Sequence, residues 1–159
     1  MMDEQAKKGI LRMIPYGLYV LGTKNGDEIN VTTVNWITQS SFEPPLIVLA
    51  VRGDSKTHEL LKASGDFSLS FLKTGQKKLA FSFFKRVKPE QGKFAGFSYS
   101  LAENGCPVMD DAAGFIAGKV VKLIEQGDHS VVIAEIKEAL QSEEAKIMTL
   151  AETGAKYGG

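Results

Sequence analysis

Two tight turns between apolar segments restrict the folds open to this chain more than any other feature. Asn25-Gly26 is the type of dipeptide that most strongly indicates a short β-hairpin, and Gly127-Asp128 separates two further apolar segments. Parallel strands need a crossover of about a dozen residues or more, usually a helix, and neither turn leaves room for one. The sequence therefore predicts antiparallel pairing of residues 17–23 with 28–36 and of 113–125 with 130–140.

Only two short helical patterns interrupt the strands, and both come early. The first begins after Asp54 or Ser55, either of which can cap it, and ends at Ser64-Gly65. The second follows Thr74 as its cap and covers roughly residues 75–84. The other predicted elements are strands at 46–52, 66–72 and 97–101, a short strand or helix near 145–151, and a loosely ordered arm at 1–15 with a short strand near 10–14. Because closing an antiparallel sheet removes its edges, we predict an all-β barrel with a small helical insert.

Length and composition argue against several classes of function. The 159 residues suit one domain, and 19 Lys and Arg balance 19 Asp and Glu, so no excess charge favours nucleic acid or an anionic membrane surface. No apolar run approaches the ~20 residues that span a bilayer, and no signal-peptide pattern is found, so we expect a cytoplasmic protein. One cysteine, Cys106, allows no internal disulfide, and the two histidines are far apart in sequence, so no metal site is predicted.

Three common functional motifs do not occur in this sequence. There is no G-x-G-x-x-G after a strand, no G-x-x-x-x-G-K-[ST] and no G-x-S-x-G. The sequence therefore predicts neither a Rossmann dinucleotide site nor a phosphate loop of the NTPase kind, and it gives no local support for a serine nucleophile.

Residues 30–57 carry more hydroxyl and amide groups than a strand, turn, strand and helix start would need. An isoalloxazine ring has donors and acceptors along one edge that suit amide side chains, and flat faces that suit an indole. A phosphate suits the free N–H groups at a helix start. Taken alone, Trp36 fits a core position and residues 55–57 fit a helix cap; their occurrence together favours a flavin site. The candidates are Asn30, Asn35, Trp36, Thr38, Gln39, Ser40, Arg52, Ser55, Lys56 and Thr57.

A set of short motifs, in order along the chain, resembles a known family. They are N-x-x-x-x-N-W-x-T-Q-x-S-F-x-P-P-L from Asn30, R-x-x-S-x-T-H-E-L from Arg52, then K-F-A-G, N-G-C-P and G-D-H. Together they are similar to the flavin reductase-like family with the FMN-binding split-barrel fold. The resemblance covers about residues 17–140 and implies a single flavin reductase-like domain over residues 1–159, an antiparallel Greek-key split β-barrel.

The resemblance also implies roles for individual residues. Asn30, Asn35 and Trp36 would line the isoalloxazine, and Thr38, Gln39 and Ser40 would follow its polar edge and the ribityl chain. The phosphate would be held by Arg52, Ser55 and Thr57, with Lys56 adding a second cation. Lys93, from K-F-A-G, would reach the flavin from a basic loop. His129, from G-D-H, would lie on the flavin and pyridine-nucleotide side as the catalytic residue, whereas Tyr157 belongs to no motif that we can align.

The function implied is transfer of electrons from NAD(P)H through bound FMN, rather than FAD, to a free flavin, a ferric complex or a separate redox protein. A homodimer is implied as well. Two alternatives stay open: a flavoredoxin-type FMN electron carrier with little direct NAD(P)H activity, and a non-enzymatic ligand-binding barrel. The choice between NADH and NADPH, the final electron acceptor, and whether FMN is a prosthetic group or a substrate cannot be read from these residues.

Overall fold

Both predicted hairpins form in the structure, a computed structural model that describes residues 1–159. Strand β1 pairs with β2 across Asn25-Gly26, and β10 pairs with β11 across the turn before His129. The strands are β1 Tyr19–Asn25, β2 Glu28–Val34, β3 Ile37–Ser41, β4 Leu46–Arg52, β5 Asp66–Phe71, β6 Pro89–Glu90, β7 Lys93–Phe94, β8 Phe97–Leu101, β9 Pro107–Met109, β10 Gly114–Ile124 and β11 His129–Gln141. The helices are α1 Glu4–Leu11, α2 Lys56–Ser64, α3 Lys77–Ser82 and α4 Leu150–Thr153.

All strand pairs are antiparallel, as the short turns predict, and they form two sheets. The larger has seven strands in the order β2-β1-β5-β10-β11-β4-β3, and the smaller has four in the order β6-β7-β8-β9. The predicted closed barrel is not present, because β2 and β3 are the two edges of the larger sheet and do not pair with each other. The fold is therefore mostly β with a few helices and an open, curled sheet.

The curl of the large sheet follows from its chain connectivity. Laid flat, seven strands at about 4.8 Å spacing would put the two edge strands about 29 Å apart. Yet β2 ends at Val34 and β3 begins at Ile37, and three Cα–Cα steps span at most about 11 Å. The sheet must curl until its edges approach at Asn35 and Trp36. A hydrogen bond from the Ala50 N–H to the Trp36 carbonyl (3.0 Å) joins this link to β4.

Strand β5 is buried on both faces, although its alternation of phenylalanine and serine predicts one polar face. Ser68 and Ser70 have no exposed surface because β9 covers them. The Ser68 hydroxyl donates to the Pro107 carbonyl (2.6 Å), and the Ser70 hydroxyl accepts from the Met109 N–H (3.0 Å). These serines thus provide the hydrogen bonds that tie the second sheet to the first.

The N-terminal arm and the second helix differ from expectation. The predicted strand near 10–14 is absent, and residues 4–11 of the arm form α1, because the Asp3 carboxylate accepts from the Gln5 and Ala6 N–H groups and caps the helix. Gln76, rather than Thr74, is the N-cap residue of α3. Helix α2 agrees with its prediction, from its Ser55 cap to the left-handed Gly65 at its end. None of the helices has the length and apolar character needed to cross a membrane.

Cys106 lies in the core with no exposed surface, and burial raises the pKa of its thiol to about 12 from an ordinary value of 9.0. Because the pKa of the thiol is lower in the unfolded chain than in the folded one, the unfolded chain loses its proton first, and the free energy of unfolding falls as pH rises. We expect the free energy of unfolding of wild type, relative to Cys106→Ala, to be constant below pH 9. Above it, the difference should shrink by up to about 1.4 kcal/mol per pH unit. Urea unfolding at pH 7, 9 and 10.5 measures this, and a pH-independent difference would contradict it.

Candidate functional site

A cleft of about 1000 Å³ opens between β2, the turn from β4 into α2, and the C-terminal tail. This volume is at the upper end of the range common for small-molecule sites. The structure brings most of the predicted site residues together here. Those that line the cleft are Asn30, Asn35, Trp36, Arg52, Ser55, Lys56, Thr57 and His129.

Four predicted residues lie elsewhere. Thr38, Gln39 and Ser40 are exposed on the edge strand β3, which turns away from the cleft after Trp36 to pair with β4. Lys93 is exposed on β7 in the smaller sheet. Sequence spacing alone does not show that the chain leaves the cleft after Trp36.

The N-terminal end of α2 forms one end of the cleft. The Ser55 hydroxyl accepts from the His58 N–H (3.1 Å) and caps the helix. Thr57, which is 2% exposed, accepts from the Asn30 side-chain amide (2.9 Å), and Asn30 is itself buried. Because the Thr57 oxygen is already an acceptor, its hydroxyl hydrogen is the part left to donate, and no protein group accepts it. Free N–H groups and the dipole of a helix start favour an anion at this end.

The two cations at this end are paired with carboxylates rather than free. Arg52 donates two hydrogen bonds to Asp54, at 2.9 and 2.7 Å. That contact lowers the pKa of the Asp54 carboxyl and raises the pKa of Arg52. Lys56 lies between Glu59 (2.8 Å) and Glu28 (3.0 Å), which in that order raise its pKa. A bound anion would have to compete with these carboxylates.

Aromatic side chains form the other end. The rings of Trp36 and His129 are 4.7 Å apart between centroids, and Tyr157 lies 5.2 Å from Trp36. Tyr16 completes the cluster at 6.5 Å from Trp36. A side chain at Gly158 would press on the indole, so the tail packs directly over Trp36, and the Gly158 carbonyl accepts from Arg12 (3.2 Å) at the end of α1.

His129 is held from both ring nitrogens. Its Nδ1 is 2.8 Å from the Asp128 carboxylate and its Nε2 is 2.6 Å from the Tyr157 hydroxyl. The hydrogen bond with His129 lowers the pKa of Asp128, whereas burial raises the pKa of Tyr157. An ionised carboxylate can only accept, so Nδ1 carries hydrogen, and the Nε2 of a neutral ring accepts the phenol hydrogen. The two contacts therefore fix the orientation of the imidazole.

Two buried donors that belong to cleft residues lack a partner. The Asn35 Nδ2 and the Trp36 Nε1 make no hydrogen bond within the chain, and Asn35 is 8% exposed. A buried donor without a partner costs about 1–3 kcal/mol, so such groups call for a ligand or another explanation. An aromatic heterocycle with acceptor atoms along one edge would satisfy this need, and the donor set fits a flavin.

Four further residues in or beside the cleft are not among the site candidates proposed from the sequence. Asp128 and Tyr157 hold His129, and Phe84 and Arg86 line the cleft from the segment after α3. Asp128 was noted only as part of a turn. The apolar spacing of residues 75–84 predicts a core position for Phe84, but its side chain is 51% exposed. Tyr157 gives no signal, because its contact with His129 spans 28 residues of sequence.

Comparison with known proteins identifies the family of the chain. Residues 11–158 match the flavin reductase like domain. The chain is 30% identical to diflavin flavoprotein A 1 of Synechocystis over 85% of its length, which is 24% of that protein. It is also 30% identical to the high molecular weight rubredoxin of Moorella thermoacetica, over 94% of this chain and 65% of that protein.

A solved structure supports the same assignment. The NADH:FAD oxidoreductase of Streptomyces globisporus is 27% identical, with a TM-score of 0.81 over 94% of this chain and 88% of that one. The chain spans about a quarter of the diflavin flavoproteins and under two thirds of the rubredoxin. The match to the family, by contrast, covers nearly the whole chain. This chain therefore belongs to the flavin reductase-like domain family.

Proposed function

We propose that the chain binds FMN in this cleft and passes electrons from NAD(P)H to a free flavin, a ferric complex or a separate redox protein. Family membership supports a general role as a flavin oxidoreductase. The solved relative is named for NADH and a flavin, which supports a reduced nicotinamide as the donor. The homodimer and the cytoplasmic location stay predictions; molar mass in solution tests the first and cell fractionation the second.

The observation that carries the proposal is the pair of buried donors without a partner, Asn35 Nδ2 and Trp36 Nε1. Both belong to the two-residue link between β2 and β3, beside the indole of Trp36. A flat heterocycle with acceptors along its edge would take both hydrogen bonds once the tail that packs over Trp36 moved aside. An aliphatic ligand would leave the donors unpaired, and each would keep a cost of about 1–3 kcal/mol.

The opposite end of the cleft suits the phosphate of FMN. Asn30 and Thr57 are buried and already hydrogen-bonded to each other, so the Thr57 hydroxyl is preoriented at the start of α2. The Ser55 cap leaves early N–H groups of the helix free to donate. Arg52 can turn from Asp54 toward an anion, since both side chains are largely exposed.

When bound, the flavin would supply the redox chemistry, by accepting a hydride and passing the electrons on. The chain's own residues have a simpler task. The tail and the aromatic cluster exclude water from the ring end of the cleft. Asp128 and Tyr157 hold His129 in one orientation, so that it can position a nicotinamide. No general base is needed, because hydride transfer depends on alignment of the two rings.

A visible absorption spectrum tests the proposal. We expect the purified protein, with FMN added in slight excess and the free flavin removed, to show the bands of oxidised flavin. Under anaerobic conditions these should bleach within seconds of adding NADH or NADPH. Absence of bands after adding FMN or FAD would overturn the flavin assignment and leave a ligand-binding barrel of another kind.

Electron carriage without direct reduction by NAD(P)H is the second candidate. The diflavin flavoproteins and the rubredoxin contain this domain as a part of a larger protein, which favours an electron relay between modules. The same spectrum separates the two functions. Flavin bands that persist with both nicotinamides, but bleach when a separate reductase is added, would identify a carrier.

A further inference from the structure

Two neighbouring aromatic rings, from α3 and the segment that follows it, are exposed to solvent. Phe81 is 38% exposed and Phe84 is 51% exposed, and their ring centroids are 4.9 Å apart. The Lys77 ammonium lies 5.2 Å from the centre of the Phe81 ring, which is within the range of a cation–π contact. Exposed apolar side chains that adjoin one another mark a contact surface, whereas isolated ones are ordinary.

Most of the cations in the same segment have no anionic partner. Residues 67–89 contain six basic side chains and no acidic one, in a chain whose net charge is zero. Lys73 pairs with Glu143, and Arg86 pairs with Glu28. The other four are exposed and form no ion pair, and together with the two phenylalanines they make up a basic patch: Lys77, Lys78, Phe81, Phe84, Lys85 and Lys88. The charge of this patch favours an acidic partner.

The backbone under the basic patch is anchored to the large sheet. The Thr33 hydroxyl donates to the Ala80 carbonyl (2.6 Å), and the Thr33 N–H donates to the Phe83 carbonyl (3.1 Å). The side chains of Leu79, Ala80 and Phe83 are buried. A partner would therefore meet a preformed surface, and little ordering of the chain would oppose its binding.

The basic patch borders the candidate flavin cleft. Phe84 lines the cleft, whereas Phe81 and the four lysines do not. A partner that covers both phenylalanine rings would thus lie beside the proposed flavin. Nucleic acid would meet the same cations, but it has no use for an adjoining redox site, so the position favours a protein that accepts electrons.

We infer that the basic patch is the docking surface of an acidic electron-transfer protein, which takes its electrons from the flavin in the adjoining cleft. The inference rests on the proposed function and names the class of its redox partner. An apolar group of the partner would cover the two phenylalanine rings, and its carboxylates would face the lysines, as in interfaces with an apolar centre and a polar rim. Because a hydride carries two electrons, one NAD(P)H would reduce two molecules of a one-electron partner and release one proton.

Surface plasmon resonance with two small acidic one-electron carriers, rubredoxin and a [2Fe–2S] ferredoxin, tests the inference on the FMN-loaded protein. We expect at least one of them to bind about 10-fold or more tightly than cytochrome c, a small basic carrier. Its association rate constant should fall about 10-fold or more between low salt and about 0.5 M salt, because screening removes the electrostatic steering.

Two substitutions with matched controls locate the contact. Lys85→Glu should lower the association rate constant about 3-fold or more at low salt, since charges at the rim of an interface act mainly on association. Lys122→Glu makes the same change at an exposed position of β10 outside the patch, and should alter it less than about twofold. Phe81→Ala should raise the dissociation rate constant about 5-fold or more, and Phe42→Ala, also at an exposed phenylalanine, should not. None of these four residues lines the cleft, so the affinity for FMN should stay unchanged.

The outcomes separate this inference from the proposed function. If FMN binds but neither acidic carrier binds more tightly than cytochrome c, the docking surface is refuted and the flavin site stands. If Phe81→Ala converts a dimer into a monomer in solution, a second copy of this chain covers the patch and the inference is overturned. Binding of a thymidine oligonucleotide in place of the carriers would overturn it as well. If no flavin binds, the proposed function fails and the docking inference with it.

Discussion

Replacing Thr57 with valine should raise the dissociation constant of FMN about 5- to 150-fold, which corresponds to the ~1–3 kcal/mol of a lost buried hydrogen bond. Thr57 is 2% exposed, and its hydroxyl accepts from Asn30 and has its own hydrogen free to donate to a phosphate. Valine keeps the volume and the branching at Cβ, so the packing of α2 is retained. What is lost is one donor to the ligand and the acceptor that orients Asn30. Fluorescence titration with FMN measures the change.

Thr38→Val is the matched control for this experiment. It makes the same chemical change on β3, where the side chain is exposed and outside the cleft. We expect it to leave the dissociation constant within about twofold, since surface substitutions have small effects. Equal FMN affinities in Thr57→Val and wild type would remove Thr57 from the site. Urea unfolding of both variants separates a binding effect from a loss of stability, because the orphaned Asn30 amide destabilises only the Thr57 variant.

Replacing Gly118 with alanine should destabilise the fold by about 3 kcal/mol or more, at the upper end of what overpacking costs. Gly118 lies on β10 at a register shift in its pairing with β11. An added Cβ would overlap the Glu135 carbonyl oxygen and come within 3.0 Å of the Glu135 carbonyl carbon. Both are backbone atoms, so no side-chain rotation relieves the clash, and the two longest strands would have to separate. The free energy of unfolding in urea measures the loss.

Gly127→Ala serves as the comparison, because it adds the same methyl group to the turn of the same hairpin. The nearest atom to its Cβ would be the His129 carbonyl oxygen at 3.8 Å, an ordinary contact. We expect a change within about 0.5 kcal/mol, as is usual away from buried features. Similar stabilities for the two alanine variants would show that β10 and β11 adapt more easily than their backbone contact implies.

The parts of the fold that sequence predicts well are those with a local chemical cause. The Asn25-Gly26 turn, the Ser55 cap and the Gly65 stop each act within a few residues, and each is found in the structure. Asn30 and Thr57 likewise belong to elements, β2 and α2, that one strand pattern and one helix pattern define. Their hydrogen bond follows from the packing of α2 beside the start of β2.

Long-range contacts and the ends of elements could not be predicted in the same way. Nothing near Tyr157 indicates that it would meet His129, and the apolar spacing of α3 gave no reason to place Phe84 in a cleft wall. Thr38 follows Trp36 by two positions, but the chain turns away between them to form an edge strand. The barrel prediction was wrong about closure, because the apolar pattern indicates where the strands lie but not whether the two edge strands, β2 and β3, pair with each other.

The two-residue link between β2 and β3 has a consequence for mechanical behaviour. Because the two-residue link cannot span a wider gap, the sheet cannot flatten unless a strand detaches. Strand β3 is the weakest held, since it has the fewest paired residues among the seven strands of that sheet and a register shift among them. Release of β3 would free Trp36 from its hydrogen bond to Ala50 and open the ring end of the cleft. Trp36 is also the single tryptophan of the chain. Its emission thus comes from the one place where the curvature of the whole sheet and the shape of the ligand cleft are joined.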